Sequence, residues 1–294
     1  MYDMHGQTVL ITGATNGIGL VTARELAWLG ARTVIVGRNI EKTKRVCEQI
    51  KRDTSGGDVQ YLIADLSSLS NVRQLAAGFR KRFDRLNVLI HNAGAISFDR
   101  LESPEGREYT LTVNYFAPFL LTQLLLDLLE KSGTPGRSAR IVNVASGAHR
   151  GARINFDDIE MKRKYRSFRA YSQAKLALVM FTYDLARSLS DSGKPVTVNA
   201  LHPGFVNSGF AKDQPGLIGT IARVAMFLGR PLGISSEKGA KTSIYLAASE
   251  EVEGVTGKYF EKERETPSSP ESVDEAAWTA LRALTTTLVG VPVI

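Results

Sequence analysis

Six short apolar runs, each rich in β-branched residues, constrain this chain more than any other feature. They are TVLITG, RTVIVG, VQYLIAD, LNVLIHNAG, ARIVNVAS and PVTVNALHPG, and stretches with helical spacing separate them. A strand that is apolar on both faces must be covered on both faces, and a helix between successive strands lets them run parallel. The intervening stretches supply that cover: LVTARELAWLG closes on Gly30, IEKTKRVCEQIKR and NVRQLAAGFRKRF follow, and a long apolar helix is expected from about Glu108 to Lys131. The pattern predicts an α/β fold built as a doubly wound parallel sheet with helices on both faces. With 294 residues, 43% of them hydrophobic, the chain can bury one large core.

The first run passes into the first helix through TGATNGIG. Gly13, Gly17 and Gly19 are spaced G-x-x-x-G-x-G, a variant of the G-x-G-x-x-G fingerprint of Rossmann-type sheets. Glycines permit the tight turn and a close approach of backbone to a pyrophosphate. The following helix N-terminus then offers N–H donors and a positive dipole end. Turns need glycine for their own sake, so the placement between strand and helix is what carries the signal. Thr15, Asn16 and Ile18 lie in the same turn and join the expected dinucleotide contacts. The expected division is therefore residues 1–264 as a dinucleotide-binding and catalytic domain, then a Pro/Ser hinge, ETPSSPES, and a C-terminal helical appendage over 265–294.

The second run ends VIVGRN. An NAD site wants a carboxylate there for the adenosine ribose hydroxyls. Gly37 and Arg38 stand there instead, with Asn39 next. A guanidinium binds a 2′-phosphate through charge-assisted hydrogen bonds, whereas a carboxylate repels it. The expected cofactor is NADP(H) in preference to NAD(H). Asp65, followed by Leu66, ends the third run, either as a cap for the next helix or as an acceptor for the adenine amine. Asn92, Ala93 and Gly94 end the fourth, where small residues let a nucleotide pass close to the chain.

Taken in order, these motifs resemble the short-chain dehydrogenase/reductase family from Thr8 to about Ser208, with weaker similarity through SSEKGAKTSIYLAAS to GKYF. The resemblance rests on TGATNGIG, Asp65–Leu66, HNAG, Asn114 in TVNYFAPF, Ser146 in VNVASG, Tyr171 and Lys175 in YSQAK, and HPGFVNSGF. GRNIEKTK, LTVNYFAPFLLTQLLLDLL, INFDDI and AYSQAKLALVMFTYDLARSL are similar to the branch that holds the retinol dehydrogenases. The resemblance implies interconversion of an alcohol and a carbonyl, with Pro203, Gly204, Val206 and Ser208 beside the nicotinamide. Three positions depart from the family pattern. His91 replaces the first Asn of NNAG, Ala145 replaces a common serine, and Ser208 replaces a common threonine.

Tyr171 and Lys175 are one helical turn apart, which by itself also describes a surface helix with an aromatic and a snorkelling lysine. In this context the lysine is expected to lower the phenol from its ordinary value of ~10. Tyr171 then acts as general acid in reduction and general base in oxidation, and Ser146 hydrogen-bonds the substrate oxygen. By resemblance, Lys175 also binds the nicotinamide ribose and Asn114 holds a water in the proton path. Pro118 lacks the N–H that would bond the Asn114 carbonyl, so a kink is expected there. No metal is expected, because the four histidines show no ligand spacing.

The segment from Phe205 to Ile234 is apolar and glycine-rich and reads as a substrate lid over about 205–234. Phe205, Phe210, Leu217, Ile218, Met226 and Phe227 favour an apolar substrate. A net charge of +7 fits a polyanionic cofactor, and no nucleic-acid motif accompanies it. Seven basic residues between Arg150 and Arg169, against Asp157, Asp158 and Glu160, read as a solvated face or a rim that steers anions. Cys47 is the sole cysteine, in keeping with a reducing, cytoplasmic setting. No 18-residue apolar run, signal peptide or room for an N-terminal anchor is evident. The leucines from Leu120 to Leu129 suggest a homodimer or homotetramer. Other readings weighed are an NADP(H)-binding sensor with little turnover, an epimerase or dehydratase, and a nucleic-acid binder. The intact Ser146, Tyr171, Lys175 and Asn114 set favours the oxidoreductase.

Overall fold

The computed structural model describes residues 3–205 and 234–291. Each of the six apolar runs becomes a strand: β1 Thr8–Thr12, β2 Arg32–Gly37, β3 Val59–Ile63, β4 Val88–His91, β5 Ala139–Val144 and β6 Val196–His202. Two more follow, β7 Lys258–Glu261 and β8 Arg264–Glu265, in a stretch whose sequence pattern is too short to announce them. The sheet order is β3-β2-β1-β4-β5-β6-β7-β8. All pairings are parallel except the last, a hairpin between β7 and β8. The order reverses between β1 and β4, and ligands of open α/β sheets bind beyond the carboxyl ends of the strands at such a switch.

Alternate residues of each strand enter opposite cores. Leu10, Val34, Leu89, Ile141 and Val198 face α3 Leu69–Arg82, α4 Tyr109–Ser132, α5 Ser167–Asp191 and α7 Glu275–Val289. Val9, Ile11, Ile35, Ile90 and Val142 face α1 Gly17–Trp28, α2 Ile40–Asp53 and α6 Ser236–Ala248. The Rossmann-type doubly wound sheet expected from the sequence is thus the observed fold. α4 is long and apolar enough to cross a membrane, but 83% of its apolar window is buried inside the protein. The polar Thr, Asn and Gln residues along it hide that property from a simple reading of apolar runs.

The leucines of α4 are spent within one chain. Leu120, Leu121, Leu125, Leu128 and Leu129 are buried, and Leu124 packs against the same core. The C-terminal segment packs on the same core. Trp278, Leu281 and Val289 belong to the core on the α5 side, and β8 spans the expected boundary at residue 264. Trp278 Nε1 donates to Ser272 O at 2.7 Å, and Arg282 pairs with the buried Asp184 at 3.0 Å. Cys47 is buried, its thiol against Val59 O.

Candidate active site

The carboxyl ends of β1, β4, β5 and β6 carry the glycine loop, Asn92–Ala93, Ser146 and Pro203–Gly204. The loop after β1 is held by a bracket of hydrogen bonds. Asn92 Nδ2 donates to Thr12 O at 2.9 Å and Gly13 O at 3.0 Å. The N–H groups of Asn92 and Ala93 both donate to Thr12 Oγ1 at 3.1 Å. Gly13 has φ +67°, and a Cβ there would lie 2.7 Å from Ala93 Cα. Only glycine satisfies both the left-handed backbone and that contact.

The donor chemistry of α1 suits a pyrophosphate. Asn16 makes no side-chain cap, and the first turn holds no acidic residue. Side chains cap α2, α3, α6 and α7 instead, through Asn39, Ser68, Ser235 and Asp274. The first-turn N–H groups of α1 are therefore directed by neither a cap nor a carboxylate, which leaves the dipole end to an anion. Thr15, Asn16, Gly17, Ile18 and Gly19 make up this loop and first turn. Arg38 and Asn39 sit exposed just beyond β2, and Asn39 Oδ1 accepts from Lys42 N at 2.8 Å. Asn39 thus serves α2 as its cap, a task its expected cofactor contact must share. Asp65 does not cap α3. Its Oδ1 accepts from Ser67 N and Oγ at 3.0 and 2.8 Å, and Ser68 provides the cap. Leu66 packs partly buried on the core.

Ser146 and Tyr171 come together by a side-chain hydrogen bond. Ser146 Oγ also accepts from Ala148 N at 3.2 Å. Lys175 is buried one turn along α5, its Nζ 5.8 Å from the Tyr171 ring centroid and donating to Val144 O at 2.8 Å. The expected lowering of the phenol is not what the structure shows. Burial pushes Tyr171 up to about 12, opposed by the Ser146 hydrogen bond, and burial alone brings Lys175 down to about 7. Desolvation disfavours both charged forms. Tyr171 holds its proton at neutral pH.

Asn114 is fully buried in a π-helical turn, Thr112–Phe116, inside α4. Ala117 N donates to Thr112 O across this wide turn, which ends just before Pro118. The kink expected at Pro118 is thus a π turn, a feature common at functional sites. The Asn114 side chain donates to Ala95 O at 2.6 Å and Thr110 O at 2.7 Å, and accepts from Ala95 N at 3.3 Å. It ties α4 to the segment after Gly94. His91, the departure in HNAG, bonds Thr122 Oγ1 at 2.8 Å through Nε2, and burial lowers it to about 3, so it is neutral.

Two supporting residues were not anticipated. Thr12 orients the loop, and it sits within the glycine motif. His149 is fully buried, its Nδ1 2.7 Å from Ser146 O and its Nε2 accepting from Ser269 N at 3.2 Å. No sequence spacing signals a partner 120 residues away. Gly204, two residues beyond β6, stands at φ +88° against Ile234. Val206, Ser208 and the lid residues Phe210, Leu217, Ile218, Met226 and Phe227 lie outside the described residues.

A nucleotide-ready loop, a Ser–Tyr pair and a lysine one turn on define a class. The profile of the short chain dehydrogenase family matches residues 7–215, and the chain belongs to that family of oxidoreductases, which move hydride between a nicotinamide cofactor and an alcohol or carbonyl. Within it the chain falls in the retinol-dehydrogenase-like branch. It is 42% identical to human polyprenol dehydrogenase over 263 residues, 89% of this chain and 78% of that protein. It is 38% identical to human retinol dehydrogenase 13 over 292 residues, 97% of this chain and 85% of that one. Among solved structures, the Pseudomonas aeruginosa RhlG/NADP active-site complex matches with TM-score 0.67 and 28% identity, covering 88% of this chain and 97% of that chain.

Proposed function

We propose that this protein is an NADP(H)-dependent oxidoreductase that interconverts an alcohol and a carbonyl on a small molecule with an apolar body. The observation that carries the reading is the Ser146–Tyr171 hydrogen bond, with the buried Lys175 amine one turn along the same helix. When bound, the nicotinamide supplies or accepts the hydride. The chain's own part is to hold a carbonyl oxygen between the Ser146 and Tyr171 hydroxyls, stabilise its developing charge, and deliver the Tyr171 proton. Tyr171 stays protonated at neutral pH, as a proton donor must. In oxidation the same phenol oxygen receives the proton. Lys175, brought near neutrality, stands next in line to exchange it, and Asn114 holds the π turn behind this path.

Preference for NADP(H) over NAD(H) rests on Gly37, Arg38 and Asn39 at the end of β2, where no carboxylate stands to repel a 2′-phosphate. The names of the polyprenol and retinol dehydrogenases, together with the apolar composition of residues 205–234, support a lipophilic substrate. The test is purified protein with NADPH and with NADH against a panel of apolar aldehydes and ketones, followed by loss of reduced-nicotinamide absorbance. Turnover faster with NADPH is expected. Binding of NADPH without turnover across the panel would favour a sensor instead.

A further inference from the structure

A groove of about 330 Å³ runs between the loop that follows Ser146 and the first turn of α5. Its walls combine Ala148, Ala152 and Phe168 with Arg150, Arg153 and Arg169. Phe168 is 67% exposed, an unusual state for a phenylalanine on a helix that is otherwise mostly buried. The three arginines differ in their commitments. Arg150 is bound to Glu261 at 3.0 Å and Pro267 O at 2.9 Å. Neither Arg153 nor Arg169 pairs with a carboxylate among the described residues.

Two of the three acids in this stretch are already engaged, and the third, Asp157, pairs with neither Arg153 nor Arg169 among the described residues. Asp158 accepts from the backbone N–H groups of Lys162 and Arg163, and the buried Glu160 pairs with Arg107 at 3.0 Å. The groove therefore presents uncompensated guanidinium groups beside an apolar wall. A further polar atom has no hydrogen-bond partner among the described residues: Ser172 Oγ is buried, on a residue only 6% exposed, and Ser172 also lines the groove. The groove borders the reacting pair through neighbours of both its members. Ser172 directly follows Tyr171, and Ala148 N donates to Ser146 Oγ at 3.2 Å.

We infer that this groove binds an anionic group, a carboxylate or a phosphate, carried on the substrate by an apolar chain away from the reacting carbon. Arg153 and Arg169 grip the anion, since guanidinium forks match both groups in geometry and charge. Phe168 and Ala152 cover the adjoining chain. The inference rests on the alcohol–carbonyl reading of Ser146 and Tyr171 and narrows its substrate class to an amphiphile.

The experiment compares three series of matched chain length: n-alkanals, ω-oxo carboxylates and ω-oxoalkyl phosphates. Each is reduced by the wild-type protein and by the Arg153→Ala/Arg169→Ala double variant. Wild type is expected to favour one charged series over the alkanals by ~10–100-fold in kcat/KM at its best length, the worth of a charge-assisted hydrogen bond. Which charged series leads identifies carboxylate or phosphate. In the double variant the ratio should collapse toward one. Equal kcat/KM for charged and neutral series at every length overturns the inference, as does a preference that survives the double variant. A wild type that turns over no series defeats the parent reading instead. The groove is then judged by calorimetric binding of dodecanoate and dodecyl phosphate, where binding lost in the double variant sustains it and no binding to wild type ends it.

Discussion

At the scale of single residues, the centre of the site trades stability for chemistry. Lys175 is buried with its amine brought down from 10.5 to about 7. A lysine with a lowered folded value gives stability that is full above the unfolded value and lost as pH falls from about 10.5 to 7. At neutral pH the penalty stands, so Lys175→Met should raise thermal stability, by up to a few kcal/mol, while turnover collapses. A melt showing Lys175→Met less stable than wild type would contradict the buried-amine argument. Tyr171→Phe should keep NADPH binding and lose roughly 10²–10⁴ in rate, as expected for loss of a general acid. Near-wild-type turnover in that variant would remove Tyr171 from the mechanism. Arg38→Ala should weaken NADPH by about tenfold or more and leave NADH almost unchanged, measured by fluorescence titration. The grouping of Tyr171, Lys175 and Ser146 in one place was legible because their order and spacing stand in a linear pattern. The direction of the Tyr171 shift was not, because burial is a property of the fold and not of the Y-x-x-x-K spacing.

At the scale of elements, the glycine loop depends on contact across the sheet as much as on its own flexibility. Gly13 stands at φ +67° with Ala93 directly against it, and Asn92 pins the loop to the end of β4. Gly13→Ala should therefore destabilise the protein by ~1–3 kcal/mol through strain and overpacking, and weaken cofactor binding with it. Chemical denaturation and NADPH titration read the two effects. A variant with unchanged stability would mean that the loop has room to shift. The strands β1 to β6 were readable because apolar runs of strand length alternate with helical spacing. β7 and β8 were not, since six paired residues next to a Pro/Ser stretch give no period. Asp65 and Ser68 make the same point at a helix start: both suit a cap, and only the folded turn shows that Ser68 provides it. The π turn around Asn114 is legible only in part, because Pro118 predicts a break without saying which kind.

At the scale of the whole molecule, acid should act through buried histidines. Burial lowers His91 to about 3, and lowers His149 and His202 as well. A folded value below the unfolded one means that the unfolded chain binds more protons. Stability is then full above about 6.5 and falls as pH drops from there toward 3. Melting temperature should decline over that window with net proton uptake on unfolding, and a flat profile from pH 7 to 4 would contradict it. The C-terminal segment carries the most distant coupling. Trp278 is buried, packs beside Tyr183 with ring centroids 5.9 Å apart, and holds Ser272 O. From there Ser272 bonds Ser268, the adjoining Ser269 N–H meets His149, and His149 meets the carbonyl of Ser146. Trp278→Ala should cost about 3–5 kcal/mol, as large core truncations do. If the segment only adds stability, the folded variant assayed well below its melting temperature should turn over normally. If the chain of bonds through His149 orients Ser146, kcat should fall even there, while cofactor binding holds. The kcat measured at low temperature decides between the two, and the hydrogen bonds in place predict the fall.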